Sequence, residues 1–170
     1  LNYIRKNKLE GKLLDVGCGN GRDTFYFFRK GINVVGIDRC PPQLCTSPEI
    51  IKQNILTYEY SNYKFIYIRF VFHAISEKHL NQLLSKIKIK NSLIFVETRS
   101  TTGITSNKKL KIMFDSGIGH SHFRMLYSKE YLTKKIEKKY KILYAKEKNT
   151  FARYKSDSPY CIRYIITPKV

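Results

Sequence analysis

The sequence LLDVGCGNG, residues 13–21, decides the fold of this chain. Its first four residues, three of them apolar, predict a β-strand, and its three glycines predict a turn in which backbone approaches a ligand closely. RDTFYFFRK at 22–30 predicts a helix, and NVVGI at 33–37 predicts a second strand that ends on the carboxylate of Asp38. This order is typical of a βαβ nucleotide-binding unit, in which Asp38 would accept hydrogen bonds from ribose hydroxyls.

The spacing of the glycines separates two classes of nucleotide. Gly17, Gly19 and Gly21 follow the pattern G-x-G-x-G, whereas dinucleotide enzymes have G-x-G-x-x-G. Asp15 lies two residues before the first glycine, where a carboxylate would repel a phosphate but would suit an ammonium group. An NAD-binding βαβ unit, or an α/β turn without a ligand, is the alternative interpretation.

DVGCGNG at 15–21, together with GID at 36–38, closely resembles motifs I and II of class I SAM-dependent methyltransferases. The resemblance implies an α/β, Rossmann-like fold with a seven-stranded, mostly parallel sheet and helices on both faces. It also implies S-adenosyl-L-methionine (SAM) as the cofactor. SAM carries an amino-acid tail and a sulfonium but no phosphate, in agreement with the glycine spacing and with Asp15.

Open α/β sheets bind ligands at the carboxyl ends of their strands, so the resemblance places the cofactor there. Asp15 and the turn would contact the methionine part, and Asp38 would bind the ribose. Arg39 would flank the adenine, and Asn54 would offer its carbonyl to the adenine amino group, where many class I enzymes have an aspartate. The other candidate cofactor-binding residues lie in the turn, on the first helix and on the fourth strand: Gly17, Cys18, Gly19, Gly21, Arg22, Asp23 and Arg69. Arg22 and Asp23 are equally well read as surface residues of the helix.

The rest of the chain alternates strands and helices. Ser76 and Ser128 are predicted N-caps of helices over 77–87 and 129–139. CPPQLCTSP at 40–48 contains three prolines and predicts a shortened connection in place of the helix usual in class I enzymes. The further predictions are a short helix within 2–9 and strands over 49–56, 64–72, 92–98, 141–146 and 160–167.

The length of 170 residues predicts one methyltransferase domain over 1–170, and the start at Leu1 leaves room for a segment upstream. No apolar run approaches the roughly 20 residues of a membrane span, and no signal peptide is visible. The four cysteines lack metal-ligand spacing. We therefore expect free thiols in the cytoplasm and no metal site. Oligomeric state is not indicated.

The formal net charge is +19, from 32 basic and 13 acidic residues. Such a field favours anionic partners: nucleic acid, phosphorylated or acidic sugars, or a membrane surface. The alternative is codon bias, because proteins from AT-rich genomes are also rich in Lys, Ile, Asn and Tyr. Composition alone leaves both interpretations open.

YIRFVFHAI at 67–75 resembles the Y-x-R-F-x-x-H-A-I stretch of a bacterial and viral subgroup of these methyltransferases. The likeness continues through FVETRS (95–100), GHSHFR (119–124), FARYKSDSP (151–159) and CIRYII (161–166). Many genes of that subgroup serve surface-polysaccharide modification, which implies a small glycan-type acceptor.

Three histidines are candidate catalytic residues. Methyl transfer to a hydroxyl needs a base near neutral pH, and His73 is predicted at the end of the fourth strand, beside the acceptor. A core histidine bonded to backbone is the alternative for this residue. His120 and His122 flank Ser121 in a glycine-bounded segment that predicts a substrate lid. Zinc binding lacks cysteine or acid partners at ligand spacing.

Arg69, Arg99 and Arg124 are further candidate catalytic residues near strand ends or in the lid. Guanidinium groups match carboxylate and phosphate oxygens bidentately. Arg69 lies in an apolar strand and therefore needs a partner, which is either Glu97 on the next strand or a substrate anion. If two of the three arginines face the pocket, the acceptor is anionic.

Three functions follow from these patterns. The first is a SAM-dependent O-methyltransferase acting on a sugar, a phosphosugar or another small anionic acceptor. The second is an RNA methyltransferase such as an mRNA cap enzyme, although the chain is short and lacks an appended RNA-binding domain. The third is a non-catalytic SAM-fold subunit that binds a partner. Such a subunit would not need the intact glycines and Asp38, which argues against this function.

Overall fold

The computed structural model describes residues 2–7, 9–41, 45–104, 108–115, 121–153 and 158–169. Four helices are present in this part of the chain: α1 (Asn2–Lys6), α2 (Arg22–Arg29), α3 (Glu77–Lys86) and α4 (Lys129–Glu137), with a 3₁₀ turn η1 (Phe72–Ala74). The first six strands are β1 (Leu13–Val16), β2 (Val34–Asp38), β3 (Cys45–Thr46), β4 (Glu49–Lys52), β5 (Phe65–Arg69) and β6 (Leu93–Arg99). The last four are β7 (Lys109–Asp115), β8 (Ser121–Tyr127), β9 (Tyr140–Lys148) and β10 (Cys161–Pro168).

The main sheet has the order β3-β4-β2-β1-β5-β6-β10-β9. The strands β4, β2, β1, β5 and β6 are parallel, and β10 and β9 close the sheet antiparallel to β6 and to each other. The predicted Rossmann-like α/β fold is therefore confirmed, with the two-residue β3 added antiparallel to the edge strand β4. The described part of the proline-rich connection forms β3 and no helix.

Local sequence explains where the helices begin and end. α2 begins after Gly21, whose φ of 77° only glycine adopts freely, and ends before Gly31 at φ 76°. Ser76 and Ser128 cap α3 and α4 as predicted, accepting the backbone N–H of His79 and of Tyr131.

The core lies between the sheet and the helices. β1 is buried along its whole length, as are the first four residues of β2, which is typical of central parallel strands. The predicted apolar face of α3, which contains Leu80, Leu83 and Leu84, is buried against them. No helix in the described part of the chain is long and apolar enough to cross a membrane.

The strand predicted over 49–56 ends at Lys52 as β4, and two further predictions about the fold are wrong. The fourth strand was expected to run to residue 72, but β5 ends at Arg69, where Phe70 takes a φ of 62° and η1 follows. The segment around His122 was expected to be a loop, but β7 and β8 form an antiparallel hairpin in which Lys109 pairs with Tyr127 and Asp115 with Ser121. Lysine, arginine and histidine are mixed with the apolar residues of these strands, and cross-strand pairing adds stability that the pattern of each strand alone does not show.

Candidate active site

The glycine turn is fastened to the end of β2. The backbone N–H groups of Gly17 and Cys18 both donate to the carbonyl of Ile37, at 2.8 and 3.0 Å. One carboxylate oxygen of Asp38 accepts the backbone N–H of Gly19 at 3.0 Å, and the other accepts that of Cys40 at 2.9 Å. Motifs I and II therefore meet, and Asp38 keeps further acceptor capacity on both oxygens.

The three glycines of the turn have different neighbours. Each has a positive φ, but a Cβ on Gly17 would lie 2.5 Å from the side chain of Val71, and one on Gly21 would lie 2.6 Å from Ile50. A Cβ on Gly19 would meet nothing within 4 Å. Gly17 and Gly21 thus permit close packing, whereas Gly19 faces open space in which a ligand fits.

A cleft of about 630 Å³ lies beside the turn at the carboxyl ends of the parallel strands. Its wall includes Asp38, Arg39 and Asn54, and the apolar side chains of Ile55, Leu56, Val71 and Phe123. A smaller cavity of about 180 Å³ adjoins it, lined by Asp15, Cys18, Arg22, Asp23 and Arg69 among others. Gly17 and Phe70 line both, so the two form one elongated site with an apolar part and a charged part.

Asp15 lies at the base of the charged cavity and is only 2% exposed. Its carboxylate accepts a hydrogen bond from Thr24 Oγ1 at 2.6 Å. Burial raises the pKa of Asp15 to about 7, with smaller contributions from the charges of Asp23 and Asp38. A cation entering this cavity would favour the ionised carboxylate.

Cys18 is a neutral thiol. Burial and the neighbouring carboxylates of Asp15 and Asp38 raise its pKa to about 12, so it is not a nucleophile near neutral pH. Its sulfur lies beneath the turn, close to the backbone of Gly36.

Arg69 lies in a network of ion pairs. Its Nε is 2.7 Å from Glu97 Oε1, and its Nη1 is 3.1 Å from Asp23 Oδ2. The second oxygen of Glu97 pairs with Arg163, and Arg22 pairs with Asp23 at 3.0 Å. The internal partner considered for Arg69 is therefore present, and the same arginine still borders the charged cavity.

Arg39 and Asn54 both border the cleft with exposed side chains. Asn54 Oδ1 accepts the backbone N–H of Leu56 at 2.9 Å, which fixes the turn after β4. The remaining lone pair of that oxygen is available to a ligand.

His73 is buried, with 3% of its surface exposed, in the η1 turn. Its Nδ1 accepts the backbone N–H of Arg99 at 3.1 Å and lies 3.0 Å from Thr98 Oγ1. Since Nδ1 is an acceptor, the neutral ring carries its proton on Nε2. Burial, followed by the charges of Arg124 and Arg99, lowers its pKa to about 3. This geometry argues against the expected base role and favours the core alternative.

Arg99 and Arg124 lie near each other beyond η1. The charge of Arg99 adds to burial in lowering the pKa of Arg124, and both charges act on His73. Arg124 also donates from Nη1 to the carbonyl of Phe123 at 2.9 Å. Both arginine side chains are partly buried.

Of the two histidines predicted in a substrate lid, the structure describes only one. His120 lies outside the described residues, and His122 is in β8, where the structure describes its backbone. Sequence reasoning named four residues of the cleft wall, Gly17, Asp38, Arg39 and Asn54, and missed the others, Phe70 and His79 among them. Phe70 is the bulky residue in the left-handed region, a conformation found at functional sites that no sequence pattern signals here. His79 lies in the helix predicted over 77–87, and no motif marks it as a site residue.

Among the described side chains, no group of three His, Cys, Asp or Glu residues comes together as a metal site requires. The open space at Gly19, the free acceptor capacity of Asp38 and the charged cavity at Asp15 fit the ribose and the amino-acid tail of SAM.

The fold is similar to solved methyltransferase structures. A SAM-dependent methyltransferase from Methanosarcina mazei has a TM-score of 0.80 at 14% identity, covering 100% of this chain and 98% of that one. The 1,6-didemethyltoxoflavin-N1-methyltransferase of Burkholderia thailandensis has a TM-score of 0.74 at 12% identity, covering 98% and 75%. The glycopeptide N-methyltransferase MtfA in complex with SAM has a TM-score of 0.69 at 11% identity, covering 97% and 90%.

Comparison with curated protein sequences gives no match. A family model described as a methyltransferase domain matches residues 1–138, which is most of the chain. The chain therefore belongs to the methyltransferase-domain family, and it is a SAM-dependent methyltransferase with a class I fold.

Proposed function

We propose that this enzyme methylates a small anionic acceptor, such as a phosphorylated or acidic sugar, on an oxygen atom. The single observation that carries the proposal is the position of two arginines near the cofactor cleft: Arg99 ends β6, and Arg124 on β8 directly follows Phe123, which lines the cleft. Paired guanidinium groups are suited to carboxylate and phosphate oxygens.

The residues that would hold the cofactor divide between the two cavities. Asp38 and Asn54 would bind the ribose and the adenine in the large cleft, with Arg39 at its rim. Asp15, Arg22 and Asp23 would face the amino-acid tail in the charged cavity. When bound, SAM supplies an electrophilic methyl group on a sulfonium. The chain's part is to orient the acceptor and to exclude water.

The environment of the buried His73 indicates which kind of acceptor atom receives the methyl group. With a pKa near 3 and Nδ1 occupied by the backbone of Arg99, it is a weak base for a sugar hydroxyl. An oxygen that is already ionised, as in a phosphate or carboxylate, needs no base. The proposal therefore favours transfer to an oxygen of the anionic group itself.

RNA methylation is the second candidate, favoured by one surface. α3 and α4 lie side by side, with Lys135 Nζ 2.7 Å from Asn81 Oδ1. Their exposed faces carry Lys78, Lys134 and Lys138. This surface would bind a polyanion without reading its sequence. We expect only weak RNA binding that falls steeply with salt.

The test has two steps. Calorimetry first measures SAM and its demethylated product, S-adenosylhomocysteine (SAH), on the parent protein and on Asp38→Ala. We expect the variant to bind about tenfold or more weakly, because charge-assisted hydrogen bonds are lost. Labelled SAM is then incubated with acceptor pools of sugar phosphates, sugar acids, neutral sugars and short capped and uncapped RNAs. Incorporation into anionic sugars supports the proposal, whereas incorporation into RNA or only into neutral acceptors contradicts it.

A further inference from the structure

The two cavities of the cofactor site meet at the end of β5. The large cleft of about 630 Å³ and the charged cavity of about 180 Å³ share two lining residues, Gly17 and Phe70. Gly17 has no side chain, and a Cβ there would lie 2.5 Å from Val71. Among the residues that the structure describes, Phe70 is therefore the only one with a side chain that borders both cavities.

The junction of the cavities is where the sulfonium of SAM would lie. In SAM the sulfur atom carries the methyl group and joins the ribose side of the molecule to the amino-acid tail. The ribose is assigned to the large cleft at Asp38, and the tail to the charged cavity at Asp15. A ligand that reaches both residues passes its sulfur across the junction, next to Phe70.

The backbone holds Phe70 in a conformation that bulky residues rarely adopt. Its φ is 62°, in the left-handed region. Its N–H donates to the carbonyl of Glu97 on β6 at 2.8 Å, which ties the residue to the neighbouring strand. Strained residues of this kind are concentrated at active sites and ligand clamps, where surrounding contacts keep them in place. The strain in β5 is thus retained at the residue that borders both cavities.

The ring of Phe70 already contacts a cation. The guanidinium carbon of Arg69 lies 4.4 Å from the ring centroid, and the imidazole of His73 lies 5.4 Å away at 55°. The guanidinium is itself paired with Glu97 and Asp23, whose carboxylates balance its charge. A second positive charge at the junction therefore meets an aromatic ring rather than an unbalanced guanidinium.

We infer that Phe70 distinguishes the charged cofactor from its spent product, because its ring makes a cation–π contact with the sulfonium of SAM. Aromatic rings recognise quaternary ammonium ligands in the same way. When the methyl group bonds to the acceptor, the electron pair of the broken C–S bond stays on sulfur, which becomes neutral. The ring therefore stabilises SAM more than SAH and favours release of the product.

The test is calorimetry on the full chain with three ligands that differ at one position. SAM has a sulfonium there, SAH a neutral thioether, and sinefungin a carbon that bears an ammonium group. The variants are Phe70→Leu, which keeps apolar bulk without the ring, and Phe70→Tyr, which keeps the ring. Phe123→Leu is the matched control. Phe123 is also partly buried, with Lys111 Nζ 5.9 Å from its ring, but it lines the large cleft and not the charged cavity.

We expect Phe70→Leu to weaken SAM and sinefungin by about fivefold to tenfold, and SAH by less than about twofold. Phe70→Tyr should retain the preference of the parent for SAM over SAH. Phe123→Leu should leave the ratio of the two affinities within about twofold of the parent. An equal loss for all three ligands in Phe70→Leu would mean that the residue is only an apolar wall, and unchanged affinities would mean that it does not face the ligand. Either result overturns the inference.

Fluorinated phenylalanines at position 70 keep the test decisive if Phe70→Leu does not fold. Each added fluorine withdraws electrons from the ring face but preserves the shape of the side chain. The affinity for SAM should then fall stepwise with the number of fluorines, while the affinity for SAH stays constant. Parallel changes for the two ligands would overturn the inference.

The inference rests on the proposed placement of the cofactor across the two cavities, and it does not depend on the acceptor. Asp38→Ala separates the two failures, because SAM and SAH carry the same ribose. Unchanged affinity for both ligands in this variant contradicts the placement and, with it, the inference. A loss for both in Asp38→Ala, together with an unchanged SAM-to-SAH ratio in Phe70→Leu, contradicts the role of Phe70 alone.

Discussion

The two halves of the carboxyl edge of the sheet differ in how their side chains are placed. At the β1–β2 half, Gly19 faces open space, and Asp38 accepts the backbone N–H of Gly19. At the β5–β6 half, Arg69 pairs with two carboxylates and His73 is buried against the backbone of Arg99. In the β1–β2 half, the contacts join residues of one βαβ unit. In the β5–β6 half, the contacts join side chains that are farther apart in the sequence.

The difference follows from the physics of each half. The turn needs only glycine conformations and backbone hydrogen bonds within about one βαβ unit. The ion pairs near β5 join Arg69 to Asp23 and Glu97, which are 46 and 28 residues away. Their charges are buried together because isolated buried charges are too unfavourable to persist.

The largest expected effect is a loss of SAM binding at the β1–β2 half. Gly19→Asn should reduce SAM affinity by about 100-fold or more, because the new side chain enters the space beside Asp38. Gly31→Asn is the matched control, since Gly31 also has a positive φ with open space at its Cβ but lies at the other end of α2. Asparagine tolerates the left-handed region, so both variants should fold. Calorimetry with SAM and SAH checks the result, and equal affinities in the two variants would contradict the cofactor site.

The next largest effect is a loss of stability when the ion-pair network at the β5–β6 half is broken. Glu97 is 4% exposed and holds Arg69 and Arg163 together. Glu97→Ala should lower the free energy of unfolding by about 3 kcal/mol, since removing one partner leaves buried charge uncompensated. Arg69 keeps its ion pair with Asp23 in this variant, which limits the loss of stability.

Glu59→Ala is the control for this experiment. Glu59 also pairs with a cation, Lys86 at 3.4 Å, but its side chain is 84% exposed. Such a surface pair contributes about 0–1 kcal/mol. Denaturant unfolding of both variants gives the comparison, and a similar small loss in both would mean that the network contributes little to folding.

These contrasts explain what the sequence could predict. β1, α2, β2 and both serine caps were predicted closely, because glycine conformation, helix capping and apolar runs are local properties. The β7–β8 hairpin was missed because it forms by pairing segments whose own patterns are mixed. His73 was expected at the cleft because strand ends usually face ligands, but β5 ends three residues before η1 begins, and the histidine turns into the core.

The smallest expected effect concerns His73. His73→Asn keeps an acceptor near the position of Nδ1, so the bond from the backbone of Arg99 is retained and turnover should stay within about tenfold of the parent. A base would instead lose roughly 10²–10⁴ in turnover at unchanged SAM affinity. That second outcome, measured once an acceptor is known, would restore the base role.

Acid unfolding gives a readout for His73 that needs no acceptor. The pKa of His73 is lowered from 6.5 in the unfolded chain to about 3 in the folded one. Between these values the unfolded state binds a proton that the folded state does not, so the free energy of unfolding falls as pH drops below 6.5, by about 1.4 kcal/mol per pH unit from this residue. His73→Asn should remove this part of the slope. His79→Asn, at an exposed position on α3, should retain it. Equal slopes in the parent and both variants would mean that His73 is protonated in the folded protein. In that case Nδ1 could not accept the backbone N–H of Arg99, and the contact between η1 and β6 would have to be arranged differently.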